Sequence, residues 1–136
     1  GVASDWYARF PKAIKRPAHL IDRVMAITPP TYPLTAERIE DGLVNLPASQ
    51  FLMSYDGVRA RIPTESRVQQ AEKGLQRAVN RNEMFHLWFH PFNLGSSDAM
   101  FDALTQILAL VYDYRAAGAL QVRTMGAVAT DLCQAT

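Results

Sequence analysis

The sequence predicts an α/β fold in which a few short parallel strands alternate with helices. From residue 43 to residue 133, short apolar runs with strand character alternate with longer stretches whose apolar residues recur at helical spacing. This order is typical of parallel βαβ units with right-handed crossovers. Because three short strands would leave two open edges, the pattern indicates either a small α/β domain with helices over its edges or the terminal part of a larger α/β barrel.

Length and composition set the broad class. The chain has 136 residues, of which 49% are hydrophobic and 20% are charged, as in one globular domain with its own core. A formal net charge of +1 argues against a dedicated nucleic-acid binder. The one cysteine, Cys133, excludes an internal disulfide and a cysteine zinc site. We expect no signal peptide and no transmembrane segment, because no apolar run has the required length.

Residues 1–42 are expected to form a helical and proline-rich N-terminal segment. Helices are predicted from Trp6 to Phe10 and again after Pro17, which suits the first turn of a helix. Basic residues are concentrated between positions 9 and 23, so attachment to a membrane surface is one interpretation. A solvated cationic face on an amphipathic helix is the simpler one. Residues 28–33 contain three prolines and are expected to be extended.

The first predicted β/α unit begins with a short strand at residues 43–47, which places Asn45 on one of its two faces. A helix is expected from Ser66, because Ser66 and Gln69 match a capping box. Its apolar residues recur at helical spacing, and the asparagines that follow suit its end. These apolar residues are Val68, Ala71, Leu75, Ala78 and Val79.

The next strand, at residues 84–90, is the feature around which we expect the domain to be organised. Its aromatic and aliphatic bulk, closed by Pro91, suits a buried strand, although the spacing of His86 and His90 also fits one face of a helix. In a strand, both histidines and Trp88 share one face, and the other face is wholly apolar. This pattern is typical of a barrel strand that leads to a site at its C-terminal end.

The rest of the chain completes the predicted β/α units of residues 43–136. A long helix is expected after Ser97, a good N-cap, and Gly118 suits its end. A final short strand at residues 120–124 and a helix from Met125 to Cys133 follow. The buried stripe of the long helix is predicted at Met100, Leu104, Ile107, Leu108 and Val111.

Three segments of this region match a known pattern. Residues 85–95, Phe-His-Leu-Trp-Phe-His-Pro-Phe-Asn-Leu-Gly, precede the long helix, and residues 120–126, Leu-Gln-Val-Arg-Thr-Met-Gly, follow it. In this order they resemble the C-terminal part of bacterial polysaccharide deacetylases of carbohydrate esterase family 4, of the chitooligosaccharide deacetylase type. Residues 42–47 resemble the preceding strand of that family less specifically.

The resemblance implies the C-terminal portion of a distorted, incomplete (β/α) barrel and a hydrolase that removes acetyl groups from amino-sugar polysaccharides with a divalent metal. It also implies that His90 is the histidine of the last catalytic motif, which acts as general acid toward the leaving amine. Imidazole suits this role because it exchanges a proton near neutral pH. The family usually has aspartate after this histidine, where this chain has Pro91.

The family's Thr-Phe-Asp-Asp and His-Ser/Thr-x-x-His motifs do not occur in the sequence. We therefore expect this chain to be a fragment with no metal site of its own. The metal, which we expect to be zinc, would be bound by the full-length parent protein. The alternative is a non-catalytic carbohydrate-binding or self-association domain derived from the same fold. The expected partner is a polysaccharide or oligosaccharide. Uncovered strand edges also predict homo-oligomers, because such edges can pair with another copy. The expected location is the bacterial cytoplasm or cell envelope.

His90 is the candidate catalytic residue, and a hydrogen-bonded core histidine is the alternative. Trp88 is a candidate platform for sugar stacking, or else fills the interior of a barrel. Asn93 and Asn45 are candidate hydrogen-bond partners of a sugar, although Asn93 could equally serve the backbone of the turn. His86 is expected to hold the strand in place.

A metal site made by the three histidines is a less favoured interpretation. His19, His86 and His90 would satisfy the three protein ligands of a catalytic zinc ion. Nothing in the sequence places His19 near the other two, and no carboxylate stands at a ligand-like spacing. We therefore predict no metal ligands in this chain.

Overall fold

The computed structural model describes residues 31–33, 37–38, 43–52, 54, 57–95 and 97–134. The helices in these ranges are α1 (Thr64–Arg81), α2 (Pro91–Leu94), α3 (Asp98–Ala116) and α4 (Met125–Gln134), and a 3-10 helix at Gly57–Arg61 precedes α1. The helices predicted between residues 6 and 27 lie outside the described residues. No helix within the described ranges is both long enough and apolar enough to cross a membrane.

Helix α1 buries the apolar stripe that its sequence predicts. The helix begins at Thr64, directly after the extended backbone of Pro63. The predicted cap at Ser66 is therefore wrong: Ser66 is buried inside the first turn, and its N–H donates to the Pro63 carbonyl at 3.2 Å. Asn82 ends the helix in a left-handed conformation with φ 52°, as predicted. The buried residues of the stripe are Ala71, Leu75 and Ala78, with Val68 packed against the core.

Helix α3 begins and ends where the sequence predicts. The Ser97 hydroxyl accepts the N–H of Met100 at 3.3 Å, and Gly118, with φ 70°, follows the end of the helix. The buried stripe is narrower than predicted, because Leu108 is 54% exposed. The buried residues are Met100, Ala103, Leu104 and Ile107.

The strands of the described region are short and form three separate pairs. β4 (Gln50–Phe51) pairs in parallel with β6 (Leu87–Trp88), and α1 connects the two in one parallel βαβ unit. The sequence predicts such a unit, but with its first strand at residues 43–47. The other pairs are antiparallel: β1 (Tyr32–Pro33) with β5 (Glu83–Met84), and β2 (Glu37–Arg38) with β3 (Val44–Asn45).

Two predicted strands differ from the structure. The strand predicted at residues 43–47 contains β3, but it pairs antiparallel with β2 instead of joining the parallel pair. Residues 120–124 form no strand. They are largely exposed and lead into α4, where the Thr124 hydroxyl accepts the N–H of Ala127 at 3.2 Å. The described residues thus form a mixed α/β fold with small sheets, and within them no barrel closes.

One hydrophobic core joins α1, α3 and the parallel strand pair. Phe85, Leu87 and Phe89 pack against this core, which confirms the apolar face predicted for residues 84–90. The strand itself is divided into β5 and β6, which pair with different partners. The buried residues of the core are Leu52, Ala71, Met100, Leu104 and Ile107.

Candidate functional site

The parallel pair β4–β6 is the scaffold of the candidate site. The backbone N–H groups of Ser49 and Gln50 both donate to the carbonyl of His86, at 2.9 and 3.1 Å. Further along, the N–H of Leu52 donates to the carbonyl of Trp88 at 3.0 Å. These bonds set Phe51 opposite Trp88 in the register of the pair.

The rings of Phe51 and Trp88 stack because paired residues of neighbouring strands point to the same face. Their centroids lie 4.2 Å apart with an interplanar angle of 24°. Trp88 nevertheless remains 37% exposed, so part of its indole is open to a ligand.

His90 and Phe92 extend these two rings into a continuous row. The imidazole of His90 meets the indole of Trp88 edge to face, with centroids 5.3 Å apart at 80°, and lies 5.9 Å from Phe51 at 81°. On its other side it stacks on Phe92 at 5.1 Å and 8°. His90 is exposed, and Phe92 is 69% exposed. We call the rings of Phe51, Trp88, His90 and Phe92 the aromatic row.

Asn93 fixes the backbone at His90. Its side-chain Oδ1 accepts the N–H of His90 at 2.8 Å, and its own N–H donates to the His90 carbonyl at 2.9 Å. Asn93 is only 2% exposed, so this side chain serves the start of α2 and is not presented to solvent. Of the two roles that the sequence left open for Asn93, the structure shows the backbone role.

Asn45 lies outside the aromatic row. It is an exposed residue of β3, which pairs with β2 and contacts α4. Trp88, His90 and Asn93 instead lie at the end of β6 and in the start of α2. The structure thus brings three of the four candidate residues together and places Asn45 in another sheet.

His86 has the structural role that its position in the strand predicts. Its backbone N–H donates to the Ser49 hydroxyl at 2.9 Å, and its ring Nδ1 lies 3.3 Å from the carbonyl oxygen of Pro47. The half-buried imidazole therefore connects β6 to the loop before β4. Within the described ranges, no three His, Cys, Asp or Glu side chains come together as a metal site, and His19 lies outside those ranges.

Sequence reasoning missed two of the four rings. Phe51 follows a loop and belongs to a strand of only two residues, so no alternating pattern could assign its face. Phe92 follows Pro91, and its stacking depends on the turn into α2. The only signal for either residue was an aromatic side chain close to a predicted strand.

The aromatic row offers two kinds of chemistry. Ring faces of Trp and Phe pack against flat apolar surfaces, such as the C–H face of a pyranose. The imidazole of His90, which contacts these rings, has nitrogens that can donate or accept a proton. A ligand held against the rings would therefore meet a group capable of general acid–base catalysis.

Comparison with protein-family models, curated proteins and solved structures finds no match to this chain. The likeness to the deacetylase family described above therefore rests on the residues of the sequence. Those residues and the geometry of the aromatic row are the basis on which a function can be proposed.

Proposed function

We propose that this chain is the C-terminal portion of a polysaccharide deacetylase-like hydrolase with an incomplete (β/α) barrel, and that the aromatic row forms one wall of its sugar groove. One observation carries the proposal: four rings lie in contact at the end of a parallel strand pair, and Trp88 and Phe92 are open to solvent. The C-terminal end of parallel strands is where α/β folds place their ligands.

The row suits a saccharide better than it suits a core. Buried aromatic residues would be covered on both faces, whereas Phe92 is 69% exposed although it stacks on His90. Trp88 is held from behind by Phe51, with the centroids 4.2 Å apart. A ring that is already fixed loses little conformational entropy when a ligand stacks on it, so the complex forms at a lower cost.

His90 is the proposed proton donor to the amine that leaves when an N-acetyl group is hydrolysed. Its backbone is fixed by Asn93, and its imidazole contacts the rings of Trp88 and Phe92. These contacts confine the imidazole to the side of β6 that carries the exposed rings. A sugar stacked on the row would place its amino group within reach of this imidazole.

The remaining catalytic groups are proposed to lie outside these 136 residues. The sequence lacks the family's aspartate and histidine motifs. In this proposal those motifs supply the divalent metal and the general base, while the present chain supplies the proton donor and part of the groove.

Binding of saccharide tests the row directly. Isothermal titration of this chain with N-acetylglucosamine oligosaccharides should detect binding that Trp88→Ala and Phe92→Ala each weaken by about tenfold, because each removes a stacking surface. Tyr112→Ala is the matched control, since Tyr112 is an exposed aromatic residue on α3 at 68% exposure. Equal affinities for all four proteins would refute the groove.

Catalysis is tested in the full gene product. Release of acetate from N-acetylated oligosaccharides should fall by about 10²–10⁴-fold in His90→Gln, the contribution typical of a general acid, with saccharide affinity retained. Unchanged turnover would remove His90 from catalysis. Saccharide binding without acetate release by the wild type would instead identify a non-catalytic carbohydrate-binding domain.

A further inference from the structure

Helix α3 has a second apolar face, which is exposed to solvent. One face packs on α1 and α2 through Met100, Ala103 and Ile107. On another face, three large apolar residues are open to solvent: Phe101 is 60% exposed, Leu108 54% and Tyr112 68%. The solvent side of an ordinary surface helix carries polar residues, so this face has the composition of an interface.

The exposed face has the spacing of a helix–helix seam. Its positions alternate in steps of three and four residues, which is the a/d pattern that keeps one side of a helix against a partner. Every residue at these positions is exposed. They are, in order, Asp98, Phe101, Thr105, Leu108, Tyr112 and Arg115.

The six positions are symmetric about the midpoint between residues 106 and 107. If a second α3 lies antiparallel at that midpoint, Phe101 faces Tyr112 of the second copy, and Thr105 faces its Leu108. At the two ends Asp98 faces Arg115 of the second copy. With residues 98, 105 and 112 as heptad a positions and residues 101, 108 and 115 as d positions, each a position faces a d position of the other copy. The acidic end of each helix faces the basic end of the other, so both halves of the twofold interface make the same contacts.

We propose that this face of α3 binds a second copy of the chain in antiparallel orientation. The charges select the orientation, because a parallel pair would bring Asp98 against Asp98 and Arg115 against Arg115. The charges also favour a second copy as the partner, because α3 carries both the acidic end and the basic end that the antiparallel pair requires. Phe101 of each copy contacts Tyr112 of the other, and these two contacts supply most of the apolar surface that the dimer buries. In such helix pairs the axes lie about 8–10 Å apart.

This helix interface differs from pairing through strand edges, which the sequence alone predicts. The interface is made by side chains of one helix, so its formation requires no change in the strand pairs. It is also independent of the proposed saccharide site, since none of its six residues belongs to the aromatic row. A chain that binds no saccharide could therefore still form the dimer.

Sedimentation velocity tests the interface. The sedimentation coefficient of the chain should rise from the monomer value to the dimer value between micromolar and millimolar concentrations. Leu108→Asp should keep the chain monomeric throughout, because it places two carboxylates in the centre of the seam. Gln106→Asp is the matched control: Gln106 is exposed on α3 outside the seam, so the variant should dimerise like the wild type. A wild type that stays monomeric, or a dimer that tolerates Leu108→Asp, would overturn the proposal.

Charge reversal tests the orientation. Asp98→Arg or Arg115→Asp alone should weaken dimerisation by about tenfold at low salt, because two attractive pairs become repulsive. The double variant should dimerise like the wild type, and a mixture of the two single variants should form a heterodimer. Circular dichroism would verify that each variant stays folded, since Asp98→Arg removes a favourable charge from the helix N-terminus. Single variants without effect, or a mixture that fails to associate, would refute the antiparallel register.

Discussion

The contact between Gly74 and Phe85 gives a sharp test of how the core positions the site. Gly74 lies inside α1, where a Cβ would stand 2.4 Å from Cε2 and 2.7 Å from Cδ2 of the Phe85 ring. Normal carbon–carbon contact begins near 3.5 Å, so Gly74→Ala requires the ring to move by about 1 Å. Phe85 directly precedes His86, whose carbonyl receives both N–H groups at the start of β4. Displacing the ring therefore strains the strand pair beneath the aromatic row.

Two opposing contributions set the effect of Gly74→Ala on the free energy of unfolding. Alanine in place of glycine inside a helix stabilises the folded state by about 1 kcal/mol. Overpacking a core contact costs about 1–3 kcal/mol. We therefore expect Gly74→Ala to lower the free energy of unfolding by about 1 kcal/mol in the wild type. In a Phe85→Val background the clash is absent, so Gly74→Ala should raise the free energy of unfolding by about 1 kcal/mol.

Urea unfolding, followed by far-ultraviolet circular dichroism, measures all four proteins of this double-mutant cycle. Asn80→Ala is the control for helix propensity, because Asn80 is an exposed position of α1. This variant should stabilise the chain slightly in both backgrounds. Equal stabilisation by Gly74→Ala in the wild type and in Phe85→Val would refute the expected clash, since the ring would then not constrain position 74.

Further substitutions at four positions test the caps and the core. Asn93→Ala should destabilise the chain by about 1–3 kcal/mol in urea unfolding, because the N–H of His90 loses its acceptor; Asn93→Asp, which keeps an acceptor, should cost less. Ser97→Ala should cost about 1 kcal/mol by removing the cap of α3, and Ser97→Asp should retain it. Ile107→Ala should cost about 2–5 kcal/mol, whereas Leu108→Ala, one residue further on, should change the stability of the monomer by less than about 0.5 kcal/mol. Equal effects at these last two positions would contradict the assigned faces of α3.

The three longer helices of the described ranges were predictable because their signals are local. Ser97 and Gly118 mark the two ends of α3, and Asn82 marks the end of α1, each through the conformation of its own backbone. The period of the apolar residues then fixes which face is buried. Local signals still compete with one another: Ser66 has the residue type of a cap, but Pro63 starts the helix earlier.

The strand pairs were not predictable because pairing is a long-range property. Alternation in residues 84–90 assigned Phe85, Leu87 and Phe89 to the core, since faces follow from the local period of two. It could not reveal that β5 pairs with β1 while β6 pairs with β4. The stacking of Phe51 on Trp88 depends on that second pairing, so the place of Phe51 in the aromatic row could not be read from the sequence.

Pro91 begins the turn that fixes the backbone of His90. As the first residue of α2 it needs no N–H partner, and its fixed φ suits the start of a helix. The turn it begins brings Asn93 back onto both backbone groups of His90 and sets Phe92 parallel to the imidazole at 8°. The backbone of His90 is thus fixed by a capped turn, while its imidazole contacts the rings of Trp88 and Phe92. One proline therefore determines both the start of α2 and the direction in which His90 leaves the strand.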